Sequence, residues 1–194
     1  MKEEKTMAYV GLANPYVAKL LSTTTEGAVT TPKYETGFLC GKAVSMNITP
    51  NYNEASLYAD NILDEYVKDF KDGTITLGVD RLPSQAVTTM FGHTVGEDGE
   101  IKFNTNDSAN YVGVGFYVDE LIDGVKKYTA MVLYKCKFTE SADDYSTKGD
   151  SIEFKTPSLE GKIAALDDGQ WKATKSFDTI AEAQNWIKAQ FPTA

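Results

Sequence analysis

The chain holds one histidine, His93, one arginine, Arg81, and two cysteines, Cys40 and Cys136, among 194 residues. Each scarcity removes a class of chemistry. A lone histidine excludes histidine-based triads and multi-histidine metal sites. The two cysteines lack CxxC spacing, so zinc and thioredoxin-like readings fail. Both sit in strand-like segments, where they are expected as small buried hydrophobes rather than as a disulfide. A single arginine within a net charge of −9 argues against gripping nucleic acid, since arginine is the usual fork for phosphates and base edges. No apolar run nears the roughly 20 residues of a membrane helix. The start, MKEEKTMAYVG, is charged and lacks an apolar signal core, which points to a cytosolic product.

What is present is alternation. A hydrophobic fraction of 42% is enough for a core and argues against global disorder. Residues 111–138 carry the clearest pattern. Val112, Val114, Phe116 and Val118 take one face of a strand and Tyr111, Gly113, Gly115 and Tyr117 the other. After an Asp123-Gly124 turn, Tyr128, Ala130, Val132, Tyr134, Cys136 and Phe138 share one face, and Lys135 and Lys137 lie among the residues opposite. Period-two patterning on both sides of a turn predicts a long hairpin at the centre of a sheet.

Elsewhere the pattern is broken by turn-forming residues. Residues 1–14 read as an arm, 16–21 as a strand and the Thr-rich stretch 22–37, with Pro32, as a long loop. Strands are expected at 38–48 and 54–60, separated by a loop over 48–54 that contains Pro50. Residues 61–70 fit a strand or a helix, with the strand preferred, followed by an Asp72-Gly73 turn and a strand over 74–79. A short helix is expected over 83–91, with proline in its first turn and Gly92 as its C-cap. A loop at 96–99 and a short strand at 101–103 precede the central hairpin. A loop over 140–149 and a strand at 151–155 follow it. Residues 159–166 and 171–175 read as a last hairpin across Asp167-Asp168-Gly169. Thr179 and Glu182 form a capping box for a final helix striped with Ile180, Ala183, Trp186, Ile187 and Phe191 and ended by Pro192. The sum is a single mainly β domain, a sandwich or barrel, over residues 1–194.

Little in this pattern is catalytic. Gly113-Val-Gly115 lies inside a strand without the helix and third glycine of a dinucleotide loop, and it reads better as a place where another backbone comes close. His93, just past a helix cap, is expected to be solvated at the helix end. The Asp167-Asp168-Gly169 run lacks the spaced oxygens of a calcium loop. Carboxylates are abundant, but no nucleophile–base pair is visible, so the expected role is binding or assembly, with no enzyme activity, cofactor or metal. Trp171 and Trp186 leave open a carbohydrate-binding β-sandwich, although both are expected in the core.

Three segments, in order, resemble the major tail proteins of long-tailed, non-contractile phages and prophages of Gram-positive hosts. The first runs from Leu57 to His93 and includes a YADN box at residues 58–61, GTITLGVD at 73–80 and the Leu-Pro-Ser helix ending at Gly92-His93. The second runs from Val114 to Gly161 and includes the Lys-x-Lys-Phe run at 135–138 and TKGDSIEF-x-TP at 147–157. The third is DGQWKATKSFDT followed by a helix reaching Trp186. The likeness spans residues 8–191 and is weakest over 22–37.

The resemblance implies a tail tube subunit, a β-sandwich or barrel flanked by a helix. Six copies would make a ring, and stacked rings would form a tube that conducts DNA during ejection without binding it specifically. Implied partners are other copies of the chain, a tape measure protein and a tail terminator; a terminator or tail-tip component is itself an alternative reading. The implied location is the virion tail, after synthesis in the bacterial cytoplasm, with no membrane partner. Six copies at −9 each give −54 per ring, which would repel DNA in transit. Asp60, Asp64, Glu65, Asp69, Asp119 and Glu120 are candidates for the lumen. Thr23, Thr24, Thr25 and Thr31 in one loop, and Pro50, Asn51, Tyr52 and Asn53 in another, are candidates for ring stacking together with the N-terminal arm. Gly113 and Gly115 are candidates for close packing by an adjacent subunit.

Overall fold

The computed structural model describes residues 7–122, 124–140 and 156–192. All but the first residue of the expected loop over 140–149, the strand at 151–155, Asp123 and the first six residues of the arm lie outside the described residues. The fold is mainly β. Among the described residues, nine strands form one antiparallel sheet and two helices cover parts of it.

Its centre is the expected hairpin, β8 (Tyr111–Ile122) and β9 (Val125–Thr139). Both strands exceed the usual length, and residues 112–118 are buried on both faces. One face packs Val112, Val114, Leu133, Cys136 and Phe138 into the main core. The other packs Tyr117, Ala130, Val132 and Tyr134 into a second core. The single face expected for Tyr134 and Cys136 is therefore corrected. Val112 pairs with Cys136 but Val114 with Leu133, so β9 carries one extra residue there. That bulge flips the side-chain parity.

The N-terminal third departs furthest from expectation. Residues 7–14 are strand rather than arm, because β1 runs Met7–Glu26 and pairs with β8 over most of its first half. Residues 22–37 are not a long loop. Their threonines, β-branched and suited to strands, form a hairpin between the end of β1 and β2 (Val29–Tyr34), reversing at Gly27, φ +64°. The β2 pattern buries Thr30, Pro32 and Tyr34. Pro32 is tolerated because, among the described residues, β2 pairs with β1 alone. A short β3 (Phe38–Leu39) pairs with β1 and leads into β4.

β4 (Ala43–Ala59) and β5 (Ile62–Val79) form one long hairpin. The strand reading of residues 61–70 holds. The Asp72-Gly73 turn does not: the chain runs straight through it, and Gly73 is buried against Ile163 and the Thr49 carbonyl. Nor do residues 48–54 form a loop. The actual reversal is at Asp60 and Asn61, both with positive φ (51° and 64°), the backbone of a type I′ hairpin turn.

The sheet order is β2-β1-β8-β9-β10-β5-β4, with β10 (Ser158–Ala164) and β11 (Lys172–Phe177) both on the far side of β9 from β8. These last two strands are not the expected hairpin. They run in the same direction along successive stretches of β9, and the Asp167-Asp168-Gly169 turn is a detour between them. A small ladder joins β6 (Thr94–Val95) to β7 (Ile101–Lys102).

Helix α1 (Ser84–Phe91) starts at Pro83, ends at a left-handed Gly92 and buries Ala86 and Met90 in the main core. Helix α2 (Ile180–Ala189) has half of the expected capping box: the Thr179 hydroxyl accepts from the Glu182 N–H, but the Glu182 carboxylate accepts from that hydroxyl at 2.8 Å rather than from the Thr179 N–H. Ala183, Ile187 and Phe191 seal the second core. Ile180 departs from the expected stripe and is 39% exposed. Both cysteines are free and buried; burial pushes the Cys40 thiol up to about 12, so it behaves as a hydrophobe.

Candidate assembly surfaces

The β4–β5 hairpin outruns the sheet. Between Asn51 and Asp69 every side chain described is exposed, so this arm has two wet faces. At ~3.3 Å per residue its nine steps from Asn51 to Asp60 span about 30 Å. Cross-strand pairing sorts its residues. Tyr52 with Phe70, Glu54 with Lys68, Ser56 with Tyr66 and Tyr58 with Leu63 share one face. Asn53 with Asp69, Ala55 with Val67 and Leu57 with Glu65 share the other.

The first face is rooted in the core. The Trp171 indole, half-buried in the main core, stacks flat on Phe70 with ring centres 4.5 Å apart. Phe70 meets Tyr52 edge-on at 6.3 Å, the Lys68 ammonium lies 4.5 Å above the Tyr52 ring, and Lys68 pairs with Glu54 at 2.8 Å. The Lys68 hydrogen bond holds the Glu54 carboxyl below its usual range. Each aromatic pair contributes on the order of 0.5–1.5 kcal/mol beyond burial, so the ladder fixes the arm's direction at its root. Beyond it Tyr58, Leu63 and Tyr66 face solvent. An isolated two-stranded ribbon is marginal in water, and exposed apolar rows on it mark a surface made to be covered.

The second surface is a groove of about 610 Å³ between the sheet's two open edges. The sheet rolls until β1, over Tyr9–Leu12, faces β4, over Val44–Ile48. The floor is Phe116, Val118 and Met131, and among the described residues Lys172 is the one charged residue in the lining. The edges of β1 and β4 that face the groove have no ladder partner there among the described residues. Unpaired strand edges of this kind are templates for association.

The expected site residues distribute unevenly over these surfaces. Asp60, Asp64, Glu65 and Asp69 all lie exposed on the arm, so four of the six candidate acids are brought together. Asp119 sits on the body, partly covered, paired with Lys126 at 2.7 Å. Glu120 is a correction. It is 1% exposed, accepts from the Thr129 hydroxyl, and its Oε1 has no hydrogen-bond partner among the described residues. Residue parity puts it inside because it continues the row of Phe116 and Val118. Pro50, Asn51, Tyr52 and Asn53 are strand residues at the root of the arm rather than a loop. Proline fits there because, among the described residues, β4 has a neighbour on one side alone.

Thr23, Thr24, Thr25 and Thr31 are likewise paired strand residues. Their hairpin is clamped to the body, as the Asp168 carboxylate accepts from the Thr30 N–H at 2.9 Å and the Gln170 N–H at 3.0 Å. Those two N–H groups hold the Asp168 carboxyl below its usual range. Gly113 and Gly115 do not await a neighbouring subunit. A Cβ at Gly113 would lie 2.2 Å from the Phe191 ring, and one at Gly115 2.3 Å from Ile187. They are glycine so that this chain's own helix α2 can pack on the sheet. Lys135 and Lys137 straddle the Tyr111 ring at 5.0 and 5.4 Å.

His93 is not a solvated helix end either. Its side chain is 4% exposed, with Nδ1 2.7 Å from the Asp107 carboxylate and Nε2 against Glu140 at ion-pair range but off the line of a hydrogen bond. Phe103 lies 4.3 Å from its ring. Burial lowers its basicity, but the two carboxylates outweigh this and the net shift is upward. With Nδ1 hydrogen-bonded to Asp107 and Nε2 facing the Glu140 carboxylate, it acts as a brace between the loop after α1 and the end of β9. Among the described residues no group of three His, Cys, Asp or Glu side chains is placed to hold a metal, and no helix is long and apolar enough to cross a membrane.

The rooted ladder was missed in the sequence because its strands pair only once the turn at Asp60-Asn61 is known. The signal was there, since Asp and Asn are the residues after glycine that best tolerate positive φ. No protein-family model matches the chain, and no curated protein matches it.

Proposed function

We propose that this chain is the repeating subunit of a tube made of stacked, six-membered rings, the tail tube of a long-tailed, non-contractile phage or prophage. One observation carries the reading: a rigidly rooted, two-faced arm bearing exposed Leu57, Tyr58, Ile62, Leu63, Tyr66 and Val67 projects from a body whose sheet, among the described residues, leaves two edges unpaired. A monomer gains nothing from exposing such a ribbon, whereas a head-to-tail assembly covers both the ribbon and the edges. The arm's acids and the net charge of −9 suit a channel that repels a DNA backbone. A tape measure protein and a terminator would then meet the tube within its lumen and at its end.

The carbohydrate-binding alternative is weakened by the tryptophans. Trp171 is stacked on Phe70, and Trp186 packs against Phe177 at 5.9 Å. Negative-stain microscopy of the purified chain across a concentration series tests the proposal. Uniform tubes appearing above a threshold concentration are expected. Monodisperse particles at every concentration would sink it, and a reconstructed tube with a net basic channel wall would remove the charge argument.

A further inference from the structure

We infer that the groove between β1 and β4 is the receptor for the tip of the β4–β5 arm of a second copy, seated through Tyr58, Leu63 and Tyr66. The inference rests on the assembly reading above and names the surface that the arm meets.

Chemistry selects the occupant. The groove is floored by Phe116, Val118 and Met131 and walled by exposed Val10 and Val44. Its complement must be apolar, narrow and preformed, because ordering a flexible segment would erode the gain. Tyr58, Leu63 and Tyr66 lie on one face of a two-stranded ribbon whose register already fixes their spacing. Charge agrees. The arm over residues 51–70 carries five acids (Glu54, Asp60, Asp64, Glu65, Asp69) against one base, Lys68, a net −4. Among the described residues that line the groove, the lone charge is the positive Lys172. Opposite charges at the rim of an apolar contact fix orientation more than they add affinity.

Geometry makes the contact intermolecular. β4 is itself a wall of the groove and runs outward from it into the arm. From Met46 to the turn at Asp60 is 14 residues, roughly 45 Å at ~3.3 Å each. An arm cannot return to its own groove without breaking the hairpin whose root is locked by the Trp171–Phe70–Tyr52 stack. Arm and groove are different patches of one surface, so the contact is heterologous and propagates from copy to copy.

Two full-length variants test this. The arm variant carries Tyr58→Lys and Leu63→Lys, and the groove variant Val10→Lys and Val44→Lys. All four positions are exposed (Tyr58 67%, Leu63 50%, Val10 72%, Val44 54%), and unchanged melting curves check that both variants fold. Lysines that must be buried against apolar surface oppose docking. Each variant alone should need at least about tenfold more protein to assemble than the unsubstituted chain. Mixed together they should form one-to-one pairs and stop, because the intact arm of one seats in the intact groove of the other and both remaining contacts are blocked. Sedimentation velocity reads the pair directly. Normal assembly of the groove variant, or a mixture that stays monomeric, overturns the inference. Failure of the unsubstituted chain to form tubes, with the mixed pair still forming, would instead count against the tube and leave the arm–groove contact standing.

Discussion

Two hairpins in this molecule share a local structure and differ in everything around it. The β1–β2 hairpin, closing at Gly27, is held down. Asp168 caps the Thr30 N–H, the Tyr34 hydroxyl donates to the Tyr134 carbonyl at 2.8 Å, and the Tyr34 N–H donates to the Pro192 carbonyl at 2.9 Å. Its Tyr34 ring meets Phe191 edge-on at 5.0 Å. Among the described residues, the β4–β5 hairpin is held to the body at its root and not beyond it. Strand pairing alone therefore says little about what a hairpin is for. A hairpin whose inward row is buried, as in β2, belongs to the subunit's own stability. One whose rows are all exposed, as in the arm, adds little to the subunit's own stability and, on the assembly proposal, is free to meet another molecule.

The sharpest way to break that contrast is to make the same kind of truncation on both sides of it. Phe191→Ala removes the ring that Tyr34 and Tyr16 pack on and that fills the space over Gly113. A loss of about 3–5 kcal/mol is expected in chemical denaturation, since a buried aromatic leaves both lost burial and a cavity. A loss below about 1 kcal/mol would mean that α2 does not seal the second core. Next in size is Gly113→Ala. Its added methyl meets Phe191 inside the packing distance, and overpacking of this kind costs about 1–3 kcal/mol. The measurement is again the denaturation midpoint at constant slope. If Gly113 had instead served an adjacent subunit, the isolated chain would be unaffected and assembly alone would suffer.

On the other hairpin the expected effect on the monomer is close to nothing. Leu57→Ala and Tyr66→Ala remove exposed side chains, and monomer stability should stay within about 0.5 kcal/mol. Assembly, followed by light scattering, should nevertheless shift to higher concentration. Destabilisation of the monomer comparable to that of Phe191→Ala would show that the arm folds back on its own body.

This division was only partly legible beforehand. The central hairpin and both helices could be read because their signals are local: strict alternation, a proline start with a glycine stop at α1, and the Thr179–Glu182 box at α2. The two hairpins could not. Thr-rich residues around Pro32 imitate a loop, and Pro50 and Asp72-Gly73 imitate turns. Tertiary context decides these cases: a proline is harmless on an edge, and Gly73 is explained by Ile163, ninety residues further along. Four of the candidate acids were collected on one element because they lie close together in sequence. The groove was invisible because its walls and floor come from residues 9–12, 44–48 and 116–131, which no local pattern connects. His93 was misjudged for the same reason, as Asp107 and Glu140 reach it from separate segments.

The smallest effect discriminates most finely, because it converts one hairpin toward the other. The Asp168 carboxyl is held below the ordinary aspartate value of about 3.9 by N–H donation from Thr30 and Gln170. A depressed folded-state value means that the clamp contributes fully above the unfolded value and loses its contribution as pH falls through the lower, folded one. Acid should therefore loosen the β1–β2 hairpin over a window below pH ~4, whereas in the arm the Glu54 carboxyl, also held below its usual range but only by its exposed pair with Lys68, should give a smaller step. Hydrogen exchange at the Thr30 amide, referenced to its intrinsic rate at each pH, reports the release. Asp168→Asn should show lowered Thr30 protection already at neutral pH, because the amide group offers one acceptor oxygen where the carboxylate satisfies two donors. Retained protection in that variant would assign the anchoring to Pro32 and Tyr34 packing instead. The difference between the two hairpins would then rest on buried apolar contacts alone.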